Sequence, residues 1–84
     1  MKKAVFYILE CITLFQDTET DTEELMCTTN AARALNSFTG FIASLMSEYE
    51  YEASEENDES LQTRWFFNYQ GYKGCTLQVN FWKK

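Results

Sequence analysis

The sequence predicts an α+β fold, one amphipathic helix across a small antiparallel sheet, in the order ββαββ or βαββ. Three observations predict it: a β-branched apolar run near the start, an apolar stripe at helical spacing in the middle, and two alternating segments around a glycine turn at the end. The chain has 84 residues, room for one domain spanning 1–84. Its 17% aromatic content is high, and aromatics bury much area per residue, which favours a core in so short a chain.

Lys3 to Phe15 is rich in Val, Ile, Phe, Tyr and Leu and reads as a strand. Phe6, Ile8, Glu10, Ile12 and Leu14 share one side; Tyr7, Leu9, Cys11, Thr13 and Phe15 share the other. Both sides are largely apolar, as expected of a central strand or one covered by a second subunit. Gln16 to Glu24, dominated by Asp, Glu and Thr, reads as a loop. Leu25–Cys27 reads as a short returning strand or as the first turn of the helix.

Thr28, Thr29 and Asn30 are all suited to cap a helix, since each side-chain oxygen can accept from a free backbone N–H. The helix itself carries Ala31, Ala34, Leu35, Phe38, Phe41, Ile42, Leu45, Met46 and Tyr49 as its sheet-facing stripe. A second stripe, Ala32, Asn36, Gly40, Ala43 and Ser47, is small and is either solvated or a contact with another helix or subunit. Ser47 to Ser60 is acidic and shows no period.

Gln62 to Gln70 alternates, with Trp65, Phe67 and Tyr69 on the inner side. Gly71-Tyr72-Lys73-Gly74 supplies a turn. Cys75, Leu77, Val79 and Phe81 then face inward, alternating with Thr76, Gln78, Asn80 and Trp82. On the outer face Arg64, Phe66 and Trp82 stand among amides, a pattern that suits a second packing layer or a dimer contact better than base stacking.

Thirteen acids against seven bases leave a net charge of −6. Between Gln16 and Ser60 there are twelve acids and one base, Arg33, so that segment carries −11. A nucleic-acid binder shows a basic patch, so direct binding to DNA or RNA is not expected, and a basic protein partner is. There is no His, no glycine-rich phosphate loop and no nucleophile elbow, so no enzyme is expected, and no cofactor. Asp17, Glu19, Asp21 and Glu23 follow the first spacings of a calcium loop, but Thr22 and Thr28 occupy the positions that need Gly and Glu, so no metal is expected. Cys11, Cys27 and Cys75 are odd in number and widely spaced, and read as buried, reduced thiols, with a pairing between two strands as the alternative. Met1-Lys2-Lys3 before an apolar run resembles a signal peptide, but Glu10 interrupts the run and no small-residue cleavage site follows directly. The run also falls short of a membrane span of about 20 residues. The expected location is the cytoplasm.

Glu48, Glu50, Glu52, Glu55, Glu56, Asp58 and Glu59 place seven carboxylates in twelve residues. As a helix these would occupy about 18 Å, a charge density within a factor of two of duplex DNA. Asp17, Glu19 and Asp21 would join them if the first hairpin's tip lies at the same end as the helix C-terminus. Acids near a helix C-terminus oppose its dipole, so stability does not explain them. Together with Tyr51, these residues form the candidate partner-binding set; Tyr49 belongs to the core stripe. Asn36, Gly40, Ala43, Phe66 and Trp82 are the candidate contacts of a homodimer. In size, charge and lack of motifs the chain resembles the small acidic inhibitors that bacteriophages direct against restriction and CRISPR effectors. That resemblance implies a non-enzymatic protein that occupies the basic groove of a nucleic-acid-binding host protein by charge mimicry. The other reading is an oligomeric interaction module or antitoxin-like regulator with apolar contacts, whose acids only keep it soluble.

Overall fold

The computed structural model describes residues 4–16, 18–56, 61–68 and 74–84. The order is β1 (Tyr7–Phe15), β2 (Thr18–Thr28), α1 (Ala31–Glu48), β3 (Glu50–Glu56), β4 (Leu61–Asn68) and β5 (Cys75–Lys83). The strands form one antiparallel sheet in the order β2-β1-β5-β4-β3, and α1 packs on one face. This is the two-layer α+β fold expected, with one strand more than the sequence suggested.

The extra strand is β3. Glu50 to Glu56 is exposed throughout, so it carries no apolar alternation to announce it; pairing with β4 alone makes it a strand. The supposed loop Gln16 to Glu24 is also largely strand. It belongs to β2, which absorbs Leu25–Cys27 and pairs with the whole of β1. Gln16 turns the corner with a left-handed φ of 51°, and its N–H donates to the Gly74 carbonyl at 2.8 Å. Gly74 has φ 80° and no side chain to crowd Gln16, whose Cγ lies 3.4 Å from where a Cβ would stand. The rest of the Gly71–Gly74 turn, and Tyr69, lie outside the described residues.

Asn30 is the helix cap: its Oδ1 accepts from the Arg33 N–H at 3.0 Å, and Thr28 Oγ1 accepts from the Asn30 N–H at 3.1 Å. At the other end the chain passes through Tyr49 directly into β3. Ala34, Ile42 and Leu45 are buried against Leu9, Phe67, Leu77, Val79 and Phe81, with Tyr7, Cys11, Met26, Phe38, Phe41, Tyr49 and Trp65 around them. Phe38 stacks on Phe81 with ring centroids 4.8 Å apart and meets Trp65 edge-on. The buried stripe is narrower than predicted. Ala31 is exposed, and Leu35 and Met46, 58% and 48% exposed, lie on its flank. The thiols also depart from expectation: all three are free, but Cys27 is exposed on the edge strand and Cys11 and Cys75 are half-buried. No helix among the described residues is long and apolar enough to cross a membrane.

Phe67 is fully buried between Trp65, Tyr51 and the core. Phe67→Ala is expected to cost about 3–5 kcal/mol in urea unfolding. Asn30→Ala is expected to cost about 1 kcal/mol by loss of the cap.

Candidate protein-binding surface

The acidic residues sit on the two edges of the sheet. Glu19, Asp21, Glu23 and Glu24 lie on β2, and Glu50, Glu52, Glu55 and Glu56 lie on β3; all are exposed, as is Glu48 at the end of α1. The hairpin tip and the helix C-terminus do share one end of the domain, since Glu50, Asn68, Thr76, Leu14 and Glu19 form one row across the sheet. Four strand spacings separate the two edges, about 19 Å. The clusters therefore flank the sheet and do not merge. Asp17, Asp58 and Glu59 lie outside the described residues.

Extended backbone also thins the charge. Four carboxylates in the seven residues of β3 are spread over about 23 Å, roughly one per 6 Å, against one per 3.4 Å along a DNA strand. The helical density considered from sequence does not arise. Tyr51 is 45% exposed, but its ring meets Trp65 and Phe67 edge-on at 5.5 and 6.1 Å, and its hydroxyl pairs with Ser54 Oγ at 2.9 Å. It closes the core at the β3 edge with one side of its ring and leaves the other to solvent.

Pairing register sorts the acids between faces. Glu19 and Glu24 on β2, and Glu50 and Glu55 on β3, share rows with the outer residues of β1, β5 and β4, on the face away from α1. They mark the corners of a field about 19 Å across and about 13 Å along the strands. Asp21, Glu23 and Glu56 point to the helix side. A bulge at each of two positions in β2, and one in β3 at Glu52, sets this sorting.

Along one end of the field, from corner to corner, runs a polar line that sequence reasoning missed. Glu55, Arg64, Asn80, Glu10 and Glu24 occupy one row across all five strands. Arg64 donates through one terminal nitrogen to Glu55 Oε1 at 3.3 Å and through Nε to Asn80 Oδ1 at 2.8 Å. Gln78 Nε2 donates to the same Asn80 oxygen at 3.2 Å. Asn80 Nδ2 donates to Glu10 Oε1 at 2.9 Å, and Trp82 Nε1 donates to that oxygen at 2.7 Å. Asn80 is 1% exposed, so its amide must be satisfied, and it is. The one signal in the sequence was Glu10, a lone acid in an apolar strand; its partners depend on a register that no single segment encodes. Ile8, Ile12, Leu14, Phe66 and Trp82 surround the line, half-buried. Phe66 and Trp82 thus stand on the outer face as predicted.

The small helix stripe behaves differently. Asn36, Gly40 and Ala43 are exposed, and a Cβ built on Gly40 would meet nothing within 4 Å. An open groove of about 450 Å³ lies where Leu9, Leu25 and Met26 meet Arg33, Ser37 and Phe41 of α1. No group of three or more His, Cys, Asp or Glu side chains among the described residues is placed to hold a metal ion.

Cys11 faces the helix side opposite Glu23, and its thiol is pushed up from 9.0 to about 11 by burial first and by the charges of Glu23 and Asp21 after that. A raised thiol favours the protonated fold. Its contribution to stability is whole below pH 9 and lost as pH rises through about 11. The alkaline fall in stability over that window should be smaller in Cys11→Ala, measured by urea unfolding at several pH values, and Cys27 should take up a thiol reagent at pH 8 well before Cys11. Asn80→Ala removes the partner that Arg64 Nε, Gln78 Nε2 and Glu10 Oε1 share and should cost about 1–3 kcal/mol in the same unfolding assay.

No protein-family model matches the chain, and neither does any curated protein or solved structure, so its function is to be read from the geometry above.

Proposed function

We propose that the protein is a small non-enzymatic inhibitor that binds a basic, nucleic-acid-binding protein of the host cytoplasm, such as a restriction or CRISPR effector, through its carboxylate edges. One observation carries this reading. Eight described carboxylates stand exposed on the two edge strands, and among the described residues they share one internal counter-ion, Arg64 on Glu55. Such an array keeps its field for a partner. It attracts a cationic groove at long range, speeds encounter, and loses strength as salt rises.

The array replaces the charge of a nucleic acid and not its shape. The edges lie about 19 Å apart, wider than either groove of B-DNA at about 12 and 6 Å. A protein that reads phosphate charge with Lys and Arg responds to the field without needing the helical outline. Three free thiols suit a reducing cytoplasm.

The test is capture of host proteins on the immobilised chain with a rising salt gradient, followed by binding measurements on the captured protein. A nucleic-acid-binding protein should be retained, released at moderate salt, and displaced by DNA or RNA. Replacing Glu48, Glu50, Glu52, Glu55 and Glu56 by Gln should weaken binding roughly 10–100-fold and flatten its salt dependence. The melting temperature should hold or rise slightly, because Glu48 opposes the helix dipole. Binding that survives this change with its salt dependence intact refutes the charge-based reading.

A further inference from the structure

We propose that the sheet face opposite α1 is the docking surface of this protein, and that its occupant is a basic amphipathic helix of the partner, seated with an arginine on Glu10. The inference rests on the charge-based reading above and names the surface and the element it receives.

The face is unpartnered. The single helix covers the other side of the sheet, and no second layer lies over Ile8, Ile12, Leu14, Phe66 and Trp82 among the described residues. Phe6, 45% exposed, extends the same face, because its N–H and C=O pair with those of Lys84. Apolar side chains therefore run along β1 from Phe6 to Leu14, about 27 Å, interrupted at the midpoint by Glu10. The three central strands β1, β5 and β4 span about 10 Å across, close to the 10–12 Å diameter of a helix. Beyond them stand the four corner carboxylates. An element that fits this field is apolar along its middle and cationic along both flanks.

Three contacts point to cations. Lys84 Nζ already sits 4.6 Å from the centre of the Trp82 ring, so that ring receives a positive charge within the chain itself. Arg64 bridges Asn80 and Glu55 on the same face. Glu10, midway along the outward side chains of β1, is fixed with Oε1 accepting from both Asn80 and Trp82, and no group among the described residues bonds its Oε2. A guanidinium reaching Oε2 would find an oriented carboxylate beside the Trp82 indole.

Charge also excludes the other obvious occupant. A second copy packed face to face would set two Glu10 carboxylates and two pairs of acidic edges against each other, with Arg64 already engaged. A basic helix meets each of these carboxylates with the opposite sign. It would add a third layer, helix–sheet–helix, to a sheet built to accept a helix on its other side.

The two tryptophans give a direct readout. Trp82 Nε1–H is bonded to Glu10 on the docking face, whereas Trp65 Nε1–H is buried on the helix side with no acceptor among the described residues. The probe is an 18-residue peptide with leucines along one helical stripe and arginines on its flanks, titrated into ¹⁵N-labelled protein; a scrambled peptide of equal composition is the control. The Trp82 indole signal should shift saturably and the Trp65 signal should stay in place, and the scrambled peptide should bind at least tenfold more weakly. Glu10→Gln and Ile12→Lys should each weaken the peptide at least tenfold, with the Trp65 signal confirming an intact core. If either variant unfolds, the indole shifts in the unaltered protein decide alone. An unmoved Trp82 signal, or equal binding of both peptides, overturns the proposal. So does a Trp82 signal that moves with protein concentration as the mass doubles, which assigns the face to a second copy. If the five-Gln variant loses the captured host protein while Glu10→Gln and Ile12→Lys retain it, the edges act without the face: the charge-based reading stands and this proposal falls.

Discussion

Strand β5 pairs with β1 on one side and β4 on the other, so the N-terminal hairpin and the α1–β3–β4 half of the chain form one sheet only through residues 75–83. Its neighbours β1 and β4 add Leu9 and Phe67 to the core on either side of it. Its inward residues Leu77, Val79 and Phe81 are the floor on which α1 rests. Its outward Asn80 ties Arg64 of β4 to Glu10 of β1. The same strand thus binds the two halves by apolar packing below and by hydrogen bonds above. Because β1 and β5 lie at opposite ends of the chain, the sheet closes through long-range contacts, and closure must overcome the loop entropy of the residues between them.

This arrangement places the most and least protected parts of the molecule with little room for choice. The core sits under β1, β5 and β4, and the outer strands hang from it by backbone pairing and one or two anchors each. Met26 and the bulged Leu25 hold β2, and Tyr51 holds β3 by resting on Trp65 and Phe67. The remaining side chains on these edges contribute almost nothing to burial, so their identity is free to serve charge. That freedom is why the eight described acids of β2 and β3 gather there without dismantling a domain of this size.

The legible parts of the sequence were those with a buried side. The centre of the helical stripe (Ala34, Phe38, Phe41, Ile42, Leu45 and Tyr49), the alternation through Trp65 and Phe67, and the inward set from Cys75 to Phe81 all follow from apolar residues repeating with the period of their element. β3 has no buried row, and nothing in Glu-Tyr-Glu-Ala-Ser-Glu-Glu marks it as a strand. β2 did offer a sign: Thr18, Thr20 and Thr22 alternate with acids, and Thr is at home in strands. The candidate acids among the described residues are exposed, but their division between two edges depends on strand order, which is a property of the whole sheet. Glu10 was visible as an oddity, and its meaning required the partners that register brings to it.

An open sheet ends in two rows of unpaired N–H and C=O groups, each of which is a template for another strand. Here both rows are fenced. β2 carries two bulges and β3 one, and both are lined with carboxylates of the same sign. When two molecules approach edge to edge, in any of the three pairings of β2 and β3, acid meets acid. The charge that would attract a cationic partner across the face therefore also keeps the sheet from growing sideways into a ribbon. The fence is electrostatic, so it lowers where carboxylates take up protons or where salt screens them. An acidic or very saline solution is then the setting in which a five-stranded sheet begins to add a sixth strand from its neighbour.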